Sequence, residues 1–265
     1  LGLKPLLVGS VGQDFAEYAS WLTAHGVDTS SVRTSATRHT ARFTATNDET
    51  GNQIASFYPG AMSEDGEIDI TSLASANAVD LVVIGAGDPA AMQRFTADCR
   101  AAGLKFAADF SQQVAFLDGD SMRTLMEGAS YLFCNEYEEA VIEQKTGWTS
   151  EDILDRVETR VITLGSAGAR VERKGTEPVV VGPVQDATFV EPTGAGDAFR
   201  SGFLAATAWG LPVERAIQLG NLIAVHALET VGPQEYDLTP ATVSDRAKHA
   251  YGAEAAAEIA AHLPS

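Results

Sequence analysis

The stretch Tyr131-Leu132-Phe133-Cys134-Asn135-Glu136-Tyr137-Glu138-Glu139-Ala140-Val141-Ile142-Glu143-Gln144-Lys145 holds the reading on which the fold turns. Tyr131–Asn135 reads as a short apolar strand that enters a helix near Glu136–Lys145. The same alternation extends outward in both directions. Upstream, Lys105–Asp109 reads as a strand, and Leu81–Gly85 as a buried strand followed by a helix over Pro89–Ala102. Pro89 suits the first helical position, where its missing N–H is no loss. Further upstream, Leu6–Gly9 reads as a strand and Asp14–His25 as a helix with Phe15, Ala19 and Leu22 spaced for one buried face. Downstream, Arg160–Leu164 leads into a glycine-containing turn and two more strands, Ala169–Arg173 and Pro178–Gly182. From Asp197 onward the chain reads as helix almost throughout. Such alternation predicts an α/β fold, a mostly parallel sheet sandwiched by helices.

Composition sets the outer bounds. The 265 residues are long enough for a large core, 45% are hydrophobic and 20% charged, which excludes wholesale disorder. Asp and Glu outnumber Lys and Arg 36 to 18, a formal net charge of −18. Such a surface repels phosphate backbones and anionic lipid, so nucleic acid and membrane are not expected partners. One anion held by backbone N–H groups remains compatible with it. Cys99 and Cys134 lie far apart without a CxxC pattern and read as buried thiols of a cytoplasmic protein. No apolar run approaches the ~18 residues of a membrane span, and no secretory leader is expected. Leu1 is not a methionine and a strand follows almost at once, which predicts that an N-terminal piece precedes this sequence.

One segment breaks the rhythm. Thr40–Asn47 and Gln53–Tyr58 read as strands around Asn47-Asp48-Glu49-Thr50-Gly51, a hairpin signal. Alternation puts Ala41, Phe43 and Ala45 on one face of the first strand. A hairpin inside an α/β chain is expected to project, as a lid over a site, a homodimer contact or a plain extension of the sheet.

Three glycine-rich loops are candidates for ligand binding. Gly85-Ala86-Gly87-Asp88-Pro89-Ala90 follows a strand, opens a helix and is trailed by Asp109, the pattern of a nicotinamide-dinucleotide site or of a simple tight turn. Thr163-Leu164-Gly165-Ser166-Ala167-Gly168 joins two strands, and its glycines let the backbone approach a flat or anionic ligand. Thr193-Gly194-Ala195-Gly196-Asp197-Ala198-Phe199 precedes a long helix. Free N–H groups at that start would converge on an anion, aided by the helix dipole. Asp197 there is either a plain cap or a base beside a bound phosphate. The chain lacks GxxxxGK[ST], H-R-D and D-F-G, which excludes the P-loop and protein-kinase designs.

Together these motifs resemble the ribokinase/PfkB family of small-molecule kinases. Gly9-Ser10-Val11-Gly12-Gln13-Asp14-Phe15 looks like its early G-x-x-G-x-D segment, Asn135-Glu136-Tyr137-Glu138 like its N-x-x-E motif, and Thr163–Gly168 like its nucleotide turn. Thr193–Phe199 matches its T-G-A-G-D-x-F loop. The resemblance spans nearly the whole chain. It implies a ribokinase-like three-layer α/β sandwich over residues 1–265, N-terminally incomplete, with residues 38–60 as an inserted lid hairpin. It implies Asp197 as catalytic base and Gly194, Ala195 and Gly196 as an anion hole. Glu138, with Asn135, would organise Mg²⁺ through water. Asn135, Thr163, Gly165, Gly168 and Asn221 would line the ATP site. Glu191-Pro192 stands where many relatives have Asp-Thr near a monovalent-cation site, so potassium stays an open alternative.

For the acceptor, His39–Thr44, Gln53–Glu64 and Ala108–Gln113 are similar to the actinobacterial type of adenosine kinase within that family. Phe43 and Phe57 suit a purine sandwich, and Gln112 and Gln113 both donate and accept hydrogen bonds as purine edges and ribose hydroxyls require. Many sugar kinases of the family carry an arginine where Gln113 stands, which counts against a sugar phosphate. The resulting expectation is an ATP- and Mg²⁺-dependent adenosine kinase of purine salvage. Rival readings are a kinase of the same fold acting on ribose or another nucleoside, a nicotinamide-dependent oxidoreductase, and a non-catalytic nucleotide binder. His25, His226, His249 and His262 lack ligand spacing, and His39 reads as a turn residue. Trp21, Trp148 and Trp209 read as packing residues, and Arg200, one helical turn beyond Asp197, as an exposed side chain or one that helps neutralise phosphate charge.

Overall fold

A computed structural model describes residues 1–47 and 53–264. The chain divides into two compact units, Leu3–Phe106 and Leu1–Gly2 with Ala107–Ser265. Among the described residues no helix is long and apolar enough to cross a membrane.

The first unit opens with β1 (Gly9–Val11), a 3-10 turn over Gln13–Phe15, and α1 (Ala16–Ala24). β1 pairs in parallel with β2 (Val32–Thr34). The strand expected at Leu6–Gly9 is displaced toward the C-terminus. Leu6 makes only an isolated parallel bridge to Asp28, carried by the Asp28 N–H donating to the Pro5 carbonyl at 2.9 Å and the Leu7 N–H donating to the Asp28 carbonyl at 2.8 Å. The expected Asp14–His25 helix opens as the 3-10 turn over Gln13–Phe15 and becomes α-helical from Ala16, with the Asp14 carboxylate bonded outside it. That carboxylate accepts from the Thr40 N–H at 2.9 Å and the Thr40 hydroxyl at 2.7 Å. Of the expected buried face of α1, Leu22 is buried, whereas Phe15 and Ala19 are half-buried.

The same Thr40 bonds fix the root of the hairpin, so its first strand, β3 (Arg42–Asn47), begins two residues later than expected. β3 pairs antiparallel with β4 (Gln53–Tyr58). The hairpin tip expected at Asn47-Asp48-Glu49-Thr50-Gly51 lies largely outside the described residues. In the register Phe43 stands opposite Phe57, so both rings share one face. The unit continues through α2 (Ile70–Ala76), β5 (Val82–Ile84) and α3 (Pro89–Ala102). α3 has Pro89 in its first turn, as expected, and a cap that the expectation did not include. The Asp88 carboxylate accepts from the Ala91 N–H at 2.9 Å, Pro89 sits in the first turn, and Gly103 closes the helix at φ 68°.

In the second unit, β6 (Phe106–Asp109), α4 (Gly119–Met126), β7 (Tyr131–Asn135), α5 (Glu136–Thr146), α6 (Ser150–Leu154) and β8 (Arg160–Thr163) follow in turn. β6, β7 and β8 are parallel neighbours. β9 (Ala169–Glu172) and β10 (Val179–Val181) extend the sheet antiparallel, giving the mostly parallel sheet expected. Ala107, Ala108, Leu132, Phe133, Cys134, Val161 and Ile162 are buried, as the near-continuous apolar runs of an enclosed parallel sheet require.

The chain ends in α7 (Ala195–Ala208), α8 (Val213–Leu228) and α9 (Pro240–Ala260), the last broken by Gly252 at φ 89°. α7 and α8 cross where glycines let their backbones meet. A Cβ on Gly202 would lie 2.7 Å from the Leu219 carbonyl oxygen, and one on Gly220 would lie 2.8 Å from the Phe199 ring. Phe199 and Phe203 are fully buried at that contact, which fixes the helix that begins beside Asp197.

Candidate active site

The last residues of the parallel strands meet at one edge of the second unit: Asp109 ends β6, Asn135 ends β7 and Thr163 ends β8. Asn135 and Thr163 are register partners. In open α/β sheets, ligands bind outside the carboxyl ends of the strands.

Asn135 and Glu138 form a reciprocal cap at the start of α5. The Asn135 N–H donates to Glu138 Oε2 at 2.9 Å, and the Glu138 N–H donates to Asn135 Oδ1 at 2.8 Å. Burial pushes the Glu138 carboxyl up, the Asn135 N–H pulls it down, the Asp109 charge raises it again and the Arg200 charge lowers it. Glu138 is therefore in electrostatic reach of both Asp109 and Arg200.

Asp109 is 3% exposed. One of its oxygens accepts from the Ser111 N–H at 3.0 Å and the Ser111 hydroxyl at 2.8 Å, holding Ser111 at φ 40°. The other faces Arg200 Nη1 at 2.8 Å. Burial raises the Asp109 carboxyl, and the Arg200 guanidinium opposes the rise. The second guanidinium nitrogen of Arg200 meets Asp197 Oδ1. Arg200 is thus 19% exposed and paired at both ends, not the free surface arginine expected from sequence. Tyr236 also borders Asp197. Burial raises its phenol, and the Asp197 charge adds to the rise.

Asp197 lies in the first turn of α7 and is 81% exposed. Gly194 caps that helix at φ 83°, and a Cβ there would lie 2.6 Å from Pro233 Cβ, so the position demands glycine twice over. The helix ladder begins with the Ala198 N–H donating to the Gly194 carbonyl at 2.8 Å. The N–H groups of Gly196 and Asp197 precede it. Ala195 departs from the expected set of three anion-hole donors, because its N–H already donates to the Pro192 carbonyl at 3.2 Å. Glu191 stabilises the loop from outside by accepting from the Gly232 N–H at 3.0 Å.

Thr163-Leu164-Gly165-Ser166-Ala167-Gly168 is a tight turn closed by the Leu164 N–H donating to the Gly168 carbonyl at 2.8 Å. Gly165 has φ 54° and Gly168 φ 94°. Asn221 is buried, and its amide nitrogen donates to the Gly182 carbonyl at 3.1 Å and meets the Tyr251 hydroxyl at 3.2 Å. Its N–H donors therefore tie α8 to the residue that follows β10 and to α9. Gln112 is exposed and Gln113 half-buried in the short 3-10 turn after β6.

In the first unit, Phe43 is 58% and Phe57 53% exposed on their shared face. At the hairpin root, Asp14, His39, Arg42 and Tyr58 line a surface cavity of about 360 Å³. Its charges are already engaged, since Asp14 holds Thr40 and pairs with Arg42 at 3.1 Å.

The nicotinamide reading loses both of its supports. Asp88 fills the start of α3 with its own carboxylate, where a pyrophosphate would sit, and Asp109 is buried against Arg200 rather than open to a ribose. Cys99 and Cys134 are buried free thiols; burial pushes Cys99 up to about 11 and Cys134 further. Among the described residues, no group of three or more His, Cys, Asp or Glu side chains is placed to hold a metal by itself. Asp109 and Asp197 are engaged by Arg200, which leaves Glu138, with one oxygen on the Asn135 N–H, as the carboxylate there that fits Mg²⁺, an ion that takes oxygen ligands, keeps several waters and is commonly bound through one carboxylate and the substrate's phosphates.

An exposed carboxylate at a glycine-capped helix start, beside the carboxyl edge of a parallel sheet, is an arrangement that can take up an anionic small molecule. Residues 1–240 match the model of the pfkB family carbohydrate kinases, and the chain belongs to that family. The nucleoside kinase of Methanocaldococcus jannaschii is 26% identical over 88% of this chain and 76% of its own. That of Methanothermobacter thermautotrophicus is 29% identical over 88% of this chain and 75% of its own. Among solved structures, the Burkholderia thailandensis nucleoside kinase in complex with inosine superposes with a TM-score of 0.86 at 30% identity, covering 95% of this chain and 82% of that one. The fold is therefore ribokinase-like and the protein a kinase of the nucleoside/sugar type. The narrower likeness to actinobacterial adenosine kinases gives way here to a likeness to nucleoside kinases in general.

Proposed function

We propose that this kinase transfers the γ-phosphoryl group of ATP to the 5′-hydroxyl of adenosine. The observation that carries the reading is the placement of Asp197, exposed in the first turn of α7 between the leading N–H groups and Arg200. Asp197 accepts the proton of the 5′-hydroxyl as its oxygen bonds to the γ-phosphorus. The bond from that phosphorus to the β,γ-bridging oxygen breaks, ADP leaves with the bond pair, and AMP is the other product. The Gly194, Gly196 and Asp197 N–H groups, with the α7 dipole, stabilise charge on the transferring group. Glu138 would hold Mg²⁺ through water with its remaining oxygen, and that ion would neutralise phosphate charge. Thr163, Gly165 and Gly168 line the ATP side, where the glycine backbone permits close approach, and Asn135 shapes that edge through its cap on α5. Asn221 is left its carbonyl oxygen for that role.

Adenosine is favoured by the exposed rings of Phe43 and Phe57, which offer flat apolar faces to a base. Gln112 and Gln113 supply paired donors and acceptors. Inosine is the second reading, favoured by the ligand of the Burkholderia structure, also a purine nucleoside. The test is ADP release from ATP and Mg²⁺ with adenosine, inosine or ribose as acceptor. A kcat/KM for adenosine at least about tenfold above the others supports the reading. Faster turnover of inosine moves the assignment to that base, and turnover of ribose alone removes the aromatic pair from acceptor binding.

A further inference from the structure

Asp197 is 81% exposed, so packing alone does not fix its side chain. A base must be held close to one geometry to act, and a misplacement of about 1 Å costs on the order of 10²-fold in rate. The structure holds Asp197 through a bridge. Arg200, one helical turn along α7, contacts Asp197 Oδ1 with one guanidinium nitrogen and the buried Asp109 with the other, at 2.8 Å. Asp109 is itself immobilised by Ser111 through its other oxygen. The chain of contacts therefore runs from the end of β6 through Asp109 and Arg200 to Asp197, leaving Asp197 Oδ2 outside it. We infer that Arg200 is a positioning residue for this phosphotransfer: anchored by Asp109, it orients the Asp197 carboxylate toward the acceptor hydroxyl. The inference rests on Asp197 acting as the base.

The geometry specifies the kind of cation required. Two carboxylates on opposite sides need a planar fork with separated donors, which arginine has and the compact ammonium of lysine lacks. Asp109→Asn keeps an oxygen for Ser111 while removing the charge that anchors Arg200.

The test is steady-state kinetics of the full chain with ATP, Mg²⁺ and the best acceptor, for Arg200→Gln, Arg200→Lys and Asp109→Asn, each alone and combined with Asp197→Asn. Arg200→Gln and Asp109→Asn are expected to lower kcat by about 10²-fold, with both KM values changed less than about threefold. Arg200→Lys stays within about threefold of Arg200→Gln. In the Asp197→Asn background the same changes add less than about twofold, because the group they position is gone. Rescue by Arg200→Lys, an unchanged kcat, or an equal further loss in the Asp197→Asn background overturns the positioning role. Asp197→Asn alone leaving kcat intact overturns the base assignment itself, a result separable from the others. Loss of the native circular-dichroism spectrum in Arg200→Gln with full activity in Asp109→Asn would also overturn the bridge.

Discussion

Gly168 lies so close to β10 that a Cβ on it would sit 2.1 Å from the Val181 carbonyl oxygen. Its φ of 94° is also one that L side chains rarely adopt. The turn after β8 is thus held in shape from two directions, and the proposed nucleotide side of the site depends on it. Gly165 in the same turn has φ 54° but open space around it.

Gly168→Ala is therefore expected to destabilise the protein by more than about 2 kcal/mol, from backbone strain together with overpacking. Gly165→Ala should cost about 1 kcal/mol, the strain alone. Thermal melting of the two variants checks the ranking, and equal losses would contradict it.

Asn135 and Glu138 separate the structural from the chemical use of one motif. Asn135→Ala removes the side-chain acceptor at the start of α5 and should cost about 1 kcal/mol. Glu138→Gln keeps an oxygen for the Asn135 N–H but loses the charge. It should melt within about 0.5 kcal/mol of the parent yet lose about tenfold or more in kcat/KM for ATP with Mg²⁺. Full activity of Glu138→Gln would confine Glu138 to capping.

The aromatic pair of the hairpin gives a prediction about substrate. Phe43→Ala or Phe57→Ala should raise the adenosine KM by about tenfold, in line with about 1–3 kcal/mol for stacking a base, and leave the ATP KM nearly unchanged. Equal effects on both substrates would remove the pair from the acceptor side.

Asp69 caps α2, accepting from the Thr71 and Ser72 hydroxyls at 2.7 Å and from their N–H groups at 3.2 and 3.1 Å. The Thr71 hydroxyl is the largest cause among these bonds, which lower its carboxyl from 3.8 to about 2. A carboxyl lowered on folding stabilises above its unfolded value and loses that contribution as pH falls toward its folded value. The melting-temperature gap between the parent and Asp69→Ala should hold steady from about pH 7 to pH 5 and narrow below about pH 4. A gap that widens on acidification would contradict this cap.

The sequence carried local features well and distant ones poorly. The place of Pro89 in the first turn of α3 follows from its neighbours in the chain, whereas the Asp88 cap of α3 and the reciprocal Asn135–Glu138 cap of α5 are added by the structure. The alternation of strand and helix followed from apolar runs that the sheet buries. The isolated Leu6–Asp28 bridge and the bonds from Thr40 to Asp14 join residues distant in the chain, which no periodicity reveals. Helices α2, α4 and α6, with 7, 8 and 5 residues, are too short for a helical period to stand out in the sequence. In the site, the Ala195 N–H is engaged by the Pro192 carbonyl and the Asn221 amide nitrogen by the Gly182 carbonyl, bonds that the motifs themselves do not show. The Asp109–Arg200 pair joins β6 to α7 across a long separation in sequence. Its signal was present only as a lone arginine one turn after Asp197.

The most direct test of the account is the turnover of Asp197→Asn with ATP, Mg²⁺ and adenosine, measured beside its affinity for ATP. A loss in kcat of about 10²–10⁴-fold, with ATP binding within about threefold of the parent, is the predicted result. Turnover within about twofold of the parent would contradict the assignment of Asp197 as the base, and with it the mechanism built on the start of α7.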